Sequence, residues 1–355
     1  MFDLRFLVIG LGSMGKRRVR CLKHLGAGAI VGFDPRADRR DEAEQKYGIA
    51  TVACIEDGFA CEPDAVIIST PPDLHTAYAR MAAERDTHFF TEASVIAEGL
   101  DGLIALCAGK RIVAAPSCTM RFHPLVRVMR DLVRGGAAGR ILACTHHSGQ
   151  YLPDWHPWED YRAFYAARRA TGACREIVPF ELNWLTWVLG ELTAVSCFNG
   201  KLSALEADID DVYQILLRFD GPILGHLLVD VVARAPYRSC RLLGEDGVIE
   251  WVWQDRRVRL FRAADKTWTD YQEPSSTVEA GYINPEEMYI EEMRAFVAAI
   301  RGAAPYPFTL ADDQRLLAYL AAIERSAGEG SRIDVRESAR RPAGAPAPAI
   351  RRATT

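Results

Sequence analysis

The stretch Arg5–Asp34, RFLVIGLGSMGKRRVRCLKHLGAGAIVGFD, decides how the rest of the chain is read. The apolar run Phe6-Leu7-Val8-Ile9 leads into Gly10-Leu11-Gly12-Ser13-Met14-Gly15, a match to G-x-G-x-x-G. After a strand and before a helix, each glycine has a task. Gly10 permits the tight turn, Gly12 lets a pyrophosphate approach the backbone, and Gly15 lets the helix pack closely on the sheet. A helix expected at about 14–25 then presents unpaired N–H groups and a partial positive charge that favour phosphate. Asp34 ends the next apolar run, 22 residues after Gly12, where an acid accepts hydrogen bonds from ribose hydroxyls. Together these features predict a dinucleotide site for a nicotinamide cofactor. Asp34 repels a 2′-phosphate, which favours NAD over NADP; Arg36, Arg39 and Arg40 either soften that repulsion or form the exposed face of the next helix.

The remaining composition narrows the classes. A chain of 355 residues suggests about two domains, and 49% hydrophobic with 25% charged residues is ordinary for a globular protein. A net charge of −4 and no basic stripe interleaved with aromatics argue against a nucleic-acid partner. No apolar run approaches the roughly 20 residues needed to span a bilayer, and the first strand begins too early for a signal peptide. The nine cysteines stand singly, without C-x-x-C spacing, which predicts reduced thiols in a cytoplasm and no metal site.

Strands predicted at 5–9, 29–33, 50–53, 64–69, 88–91 and 111–115 alternate with helices, which implies a doubly wound parallel sheet. Val66-Ile67-Ile68-Ser69-Thr70-Pro71-Pro72 reads as a buried strand stopped by two prolines, so the 69–75 loop shares the rim of the glycine turn. After about residue 140 come short strands with hairpin turns at Gly221-Pro222, Glu245-Asp246-Gly247 and Asp255-Arg256-Arg257. They predict an open, largely antiparallel sheet with helices at about 175–189, 285–301 and 311–326. The domains expected are 1–120 for the cofactor, 121–335 for substrate and oligomer contacts, and a disordered tail at 336–355.

These residues resemble the glucose-fructose oxidoreductase/inositol dehydrogenase (Gfo/Idh/MocA) family. The resemblance rests on GLGSMG with Asp34, STPPDLH at 69–75, Glu92 after the fifth strand, RFHP at 121–124, TGA at 171–173 and YIEEMRAFVAAI at 289–300. It implies an α/β chain: a Rossmann domain followed by an α+β domain on a large, mostly antiparallel open sheet. It also implies hydride transfer between NAD(P) and a sugar or sugar-nucleotide hydroxyl or ketone, with relatives in modified-sugar pathways. Homodimers or homotetramers formed through the outer sheet face are expected. Thr70, Pro71, His75, Glu92 and Arg121 would lie against the cofactor; His75 alternatively caps the helix that follows.

The chain departs from the family where acid–base chemistry is expected. Ala93 stands where the family's Glu-Lys-Pro motif has its lysine, and Phe180 replaces the histidine of Asp-x-x-x-His, with Glu176 at the aspartate position. An alcohol releases hydride poorly unless something takes its proton. Glu176, on one helix face with Phe180, is the first candidate base, because an apolar neighbour raises a carboxyl's pKa; its alternative role is an ion pair with Arg175. The loop Ser148–Arg162 supplies His156 and Tyr151 as further proton carriers. Tyr151, Trp155, His156, Arg162, Arg168 and Glu176 are the expected substrate contacts, since aromatics stack on sugar rings and arginines bind anionic groups. Two other readings remain open: a redox-neutral epimerase, lyase or glycosidase using tightly bound NAD transiently, and a non-catalytic NAD-binding sensor.

Overall fold

The computed structural model describes residues 2–157, 159–279 and 285–335. Trp158 and the 336–355 tail lie outside the described residues. The first half runs β1 (Phe2–Ile9), α1 (Ser13–His24), β2 (Ala27–Phe33), α2 (Ala37–Tyr47), β3 (Ala50–Val52), α3 (Ile55–Ala60), β4 (Ala65–Ile68), α4 (His75–Glu84), β5 (His88–Thr91), α5 (Leu100–Cys107) and β6 (Ala114–Pro116). Its strands form a parallel sheet in the order β3-β2-β1-β4-β5-β6. The order reverses between β1 and β4, the point where such sheets open a crevice for a ligand. Phe6–Ile9 and all of β4 are buried, as expected of strands covered by helices on both faces.

The second half runs α6 (Pro124–Arg134), β7 (Ile141–Tyr151), α7 (Ala173–Leu189), β8 (Leu192–Gly200), β9 (Val212–Phe219), β10 (Leu224–Asp230), β11 (Val232–Gly244), β12 (Gly247–Val252), β13 (Arg257–Arg262), β14 (Thr267–Gln272), α8 (Glu287–Ile300), α9 (Leu310–Glu329) and β15 (Ile333–Asp334). They build a sheet ordered β14-β13-β12-β11-β7-β10-β9-β8-β15, antiparallel except where β7 meets β10. The three predicted turns join β9 to β10, β11 to β12 and β12 to β13; α3, β14 and β15 had no clear sequence signal. Strand β9 shows how the faces are assigned. Tyr213, Ile215, Leu217 and Phe219 are buried, whereas Gln214, Leu216 and Arg218 alternate outward. The inner face carries α6, α7 and α9, while the outer face leaves Phe198 82% and Leu216 60% exposed.

Candidate active site

The glycine turn forms as its sequence requires. Gly10 has φ +89°, and a Cβ there would lie 2.6 Å from the Ser69 carbonyl oxygen. A Cβ on Gly15 would fall 1.7 Å from the Gly10 carbonyl oxygen, so only glycine lets α1 approach the turn. At Gly12, by contrast, a Cβ would meet only the tip of Arg39, at 3.5 Å. Gly12 is also the N-cap of α1, with no side chain capping it and no acid in the first turn, so the helix start is open to an anion. Met14 is half-buried behind Ser13 on that first turn. Asp34 follows β2 directly; its Oδ2 accepts from the Leu11 amide at 2.9 Å and its Oδ1 from the Arg36 amide at 2.9 Å. An open helix start, a cradle without Cβ atoms and a fixed acid together fit a dinucleotide.

Arg39 lies across this cradle, 3.6 Å from Asp34 Oδ2 and 3.6 Å from Glu159 Oε1. Arg36 pairs with Asp38, and Arg40 donates to the Asp34 and Pro35 carbonyls. Of the three arginines, Arg39 is the one that links the ribose acid to the 148–162 loop. The 69–75 loop closes the other side. His75 is the first residue of α4, and its Nε2 lies 2.9 Å from the Thr70 carbonyl oxygen, bracing the turn that carries Thr70 and Pro71. Burial lowers its pKa and favours the neutral ring.

Glu92 holds the rim together. Arg18 donates from Nε to Oε1 at 2.7 Å and from Nη2 to Oε2 at 2.8 Å, and the Ser69 hydroxyl adds a bond at 3.2 Å. Arg18 is wholly buried, with Glu292 on its far side at 2.8 Å and the Phe90 ring beneath it at 4.5 Å. Glu292 in turn accepts from Ser117, Thr119 and the Cys118 amide. Arg121 is likewise committed to the protein: Nε donates to Asn183 Oδ1 at 2.7 Å and Nη2 to the Asn183 carbonyl at 3.1 Å, with Phe308 below. Glu92 and Arg121, both expected against the cofactor, thus brace the rim through bonds within the protein.

Glu176 sits in the first turn of α7, whose N-cap is Gly172. It has no ion pair with Arg175, which turns to Glu324 at 2.5 Å and to the Val95 and Ala170 carbonyls. Instead the Tyr165 hydroxyl donates to Glu176 Oε1 at 3.3 Å, while Oε2 is buried without a hydrogen-bond partner among the described residues. Burial pushes the carboxyl up to about 7, the Tyr165 bond partly offsets this, and the negative Glu92 adds to the rise. A carboxyl balanced between its two protonation states at neutral pH suits a general base.

The expected proton carriers of the 148–162 loop lie elsewhere. Burial lowers the pKa of His156, with Glu159 opposing the shift and Arg39 and Lys16 adding to it. The Phe164 ring packs against His156 at 5.3 Å and against Tyr165 at 5.7 Å. A phenyl ring carries no proton, so His156 has no relay to Glu176 along this stack. Tyr151 ends β7 with the Arg234 guanidinium 4.0 Å above its ring, and Trp155 is partly buried against the core. Arg162 is 53% exposed and held by Asp160 and Glu206; Arg168 is exposed too. Neither is joined to Glu176, because short loop and surface acids satisfy Arg162 locally.

Three groups escaped the sequence reading. Tyr165 gives no signal in an irregular segment, although Thr171 fixes its backbone by donating to its carbonyl at 2.7 Å. Arg18 was legible in principle: it lies three residues after Gly15, on the helix face that packs against the sheet. Asp313, on α9, is buried beside Ala93 and Phe180.

The comparisons with known proteins agree with this geometry. Residues 4–110 match the oxidoreductase family with an NAD-binding Rossmann fold, and residues 126–250 match the GFO/IDH/MocA C-terminal domain. The chain belongs to this family of NAD-binding oxidoreductases. Over 134 residues it is 29% identical to UDP-N-acetylglucosamine 3-dehydrogenase of Acidithiobacillus ferrooxidans; the match takes in 37% of this chain and 42% of that enzyme. Inositol 2-dehydrogenase of Rhizobium meliloti is 23% identical across 94% of this chain and 99% of its own. Levoglucosan dehydrogenase, solved with NADH and levoglucosan, superposes with a TM-score of 0.82 at 21% identity, covering 94% of this chain and 100% of that one.

Proposed function

We propose that the protein transfers hydride between NAD and a hydroxyl or ketone of a sugar or sugar nucleotide, with Glu176 as the proton acceptor. The carrying observation is the buried Glu176 carboxyl, bonded by the Tyr165 hydroxyl at one oxygen and without a hydrogen-bond partner at the other among the described residues. NAD supplies the hydride acceptor when bound. The residues do the rest. Gly10, Gly12, Ser13, Met14 and Gly15 cradle the pyrophosphate, and Asp34 holds the adenosine ribose. Arg18 fixes Glu92, and with it the loop carrying Ala93. Glu176 takes the hydroxyl proton as the C–H bond yields its hydride, and Tyr165 orients the carboxyl. Tyr151 and Trp155 offer aromatic surface to a sugar ring.

The relatives' names support a sugar or sugar nucleotide, and modified-sugar biosynthesis is the setting we favour. The division into residues 1–120 and 121–335 follows the change of sheet. Phe198, Leu202, Leu216 and Leu224 stand exposed on or beside the outer sheet face, which supports pairing into a homodimer or homotetramer there. Among the described residues no helix is long and apolar enough to cross a membrane, and the cysteines are free thiols. We assign the protein to the cytoplasm on the scatter of those thiols.

The test is spectrophotometric: purified protein, NAD or NADH, and a panel of free sugars and UDP-sugars. Net NADH formation or consumption with at least one compound is expected. Product formed without net redox change would replace this reading with transient use of NAD, which the lack of a basic residue at Ala93 and Phe180 favours. No product from any compound would leave a sensor.

A further inference from the structure

A small cavity of about 10 Å³ lies between the loop after β5, α7 and α9, with room for about one water molecule. Ala93 and Phe180 line it, the two positions where the family resemblance leads one to expect a lysine and a histidine. Asp313 also lines it, from the first turn of α9, and its side chain is almost wholly buried. Its carboxyl bonds the Ser94 side chain, while Oδ2 is buried with no hydrogen-bond partner among the described residues. Nothing in the packing of α9 calls for an acid here. The capping box of that helix is made by Thr309 and the neighbouring Asp312, which leaves Asp313 without a capping task.

We propose that Asp313 is a positioning residue of the active site, whose un-ionised carboxyl holds one water between Ala93 and Phe180 and through it donates to the substrate oxygen. This rests on the hydride-transfer reading above. The water takes the place of a longer basic side chain at position 93, and a hydrogen bond to an oxygen gaining negative charge lowers the barrier. No proton leaves Asp313 in the step: the hydroxyl proton goes to Glu176, the hydride goes to the nicotinamide, and the C=O bond forms.

The surroundings favour the neutral carboxyl. Burial raises its pKa, Ser94 opposes this, and Asp312 on the same helix adds to the rise, up to about 7. The charged groups nearest the cavity on other elements are already engaged. Arg121 is bound to Asn183, and the Glu292 carboxylate is held by Arg18 and by the Ser117 and Thr119 hydroxyls. The Cys118 thiol is kept protonated by burial.

Two measurements on the full-length protein test this. The first is the pH profile of kcat for wild type, Asp313→Asn and Asp313→Ala, using the panel sugar that gives turnover. Above about pH 7 the wild-type carboxyl ionises and stops donating, so kcat falls on the alkaline side. Asp313→Asn still donates but cannot ionise, so that alkaline fall disappears. Asp313→Ala loses kcat by about 10- to 100-fold at every pH, with NADH affinity unchanged. An unchanged alkaline fall in Asp313→Asn overturns the proposal, even if that variant is less stable.

The second is infrared titration of wild type against Asp313→Asn, with and without NADH, which requires no substrate. A protonated carboxyl band that titrates near neutrality and is missing from Asp313→Asn supports the proposal. Its absence overturns it. If no sugar in the panel reacts, the hydride-transfer reading fails separately, and this titration still decides whether Asp313 is neutral.

Discussion

The cofactor half and the substrate half of the cleft are built by different means. Around Gly10, Gly12 and Gly15 the site is a shape of the backbone, and the side chains nearby serve to lock it. Around Glu176 the site is a set of side chains delivered by α7, the irregular 161–167 segment, the loop after β5 and the start of α9. A backbone site tolerates almost no change at its glycines and exposes few titrating groups. A side-chain site can lose a lysine and a histidine and be rebuilt from carboxyls that burial brings to neutrality. The difference explains how one half can keep its family pattern while the other departs from it.

Substitutions can break this contrast at either end. The largest effect belongs to Gly15→Val. A Cβ would lie 1.7 Å from the Gly10 carbonyl oxygen, and two backbones cannot separate cheaply, so folding or NADH binding is lost outright. Isothermal titration with NADH and circular dichroism read the outcome. A well-folded variant with wild-type affinity would mean that the turn does not set the cofactor site.

Next comes Arg18→Met. It strands Glu92 and Glu292 in the interior, and removing one partner of a buried ionic cluster costs about 3–5 kcal/mol. Chemical denaturation should show the full loss, with a weaker cofactor rim as its functional trace. A change within experimental error would show that water reaches both carboxylates and that the brace is dispensable. The smallest effect on stability is expected from Phe198→Asp combined with Leu216→Lys on the outer sheet face. Solvent already covers most of both side chains in the single chain, so thermal stability of the fold should hardly move. Light scattering should nevertheless report a monomer; an unchanged oligomer would place the interface elsewhere.

Legibility in the sequence follows the same divide. Glycine spacing and apolar runs are local, and they mark the parallel sheet, the turn and Asp34 within one strand–helix–strand unit. The alternation in β9 and the Gly-Pro and Asp-Gly turns were legible for the same reason. Long-range satisfaction of charge was not. Arg18 meets Glu92 across 74 residues, a pairing that no local pattern announces. The loop's richness in chemistry makes Arg162 read as a substrate contact and His156 as a proton carrier; Asp160 and Glu206 pair with the first, and the Phe164 ring packs between the second and Tyr165. Tyr165 and Asp313 acquire meaning only once the chain has brought them beside Glu176 and Ala93.

Glu176 is the centre of the proposed proton chemistry, and its most direct test is kcat against pH for wild type and Glu176→Gln with a sugar that is turned over. A base must be ionised to accept a proton, so oxidation by wild type should fall as pH drops through about 7, where Glu176 becomes protonated. In Glu176→Gln that acid-side fall should vanish and turnover should drop about 10²- to 10⁴-fold, with NAD affinity retained. Full turnover in the glutamine variant, with the same acid-side fall, would contradict the assignment and move the proton chemistry to another group in the cleft.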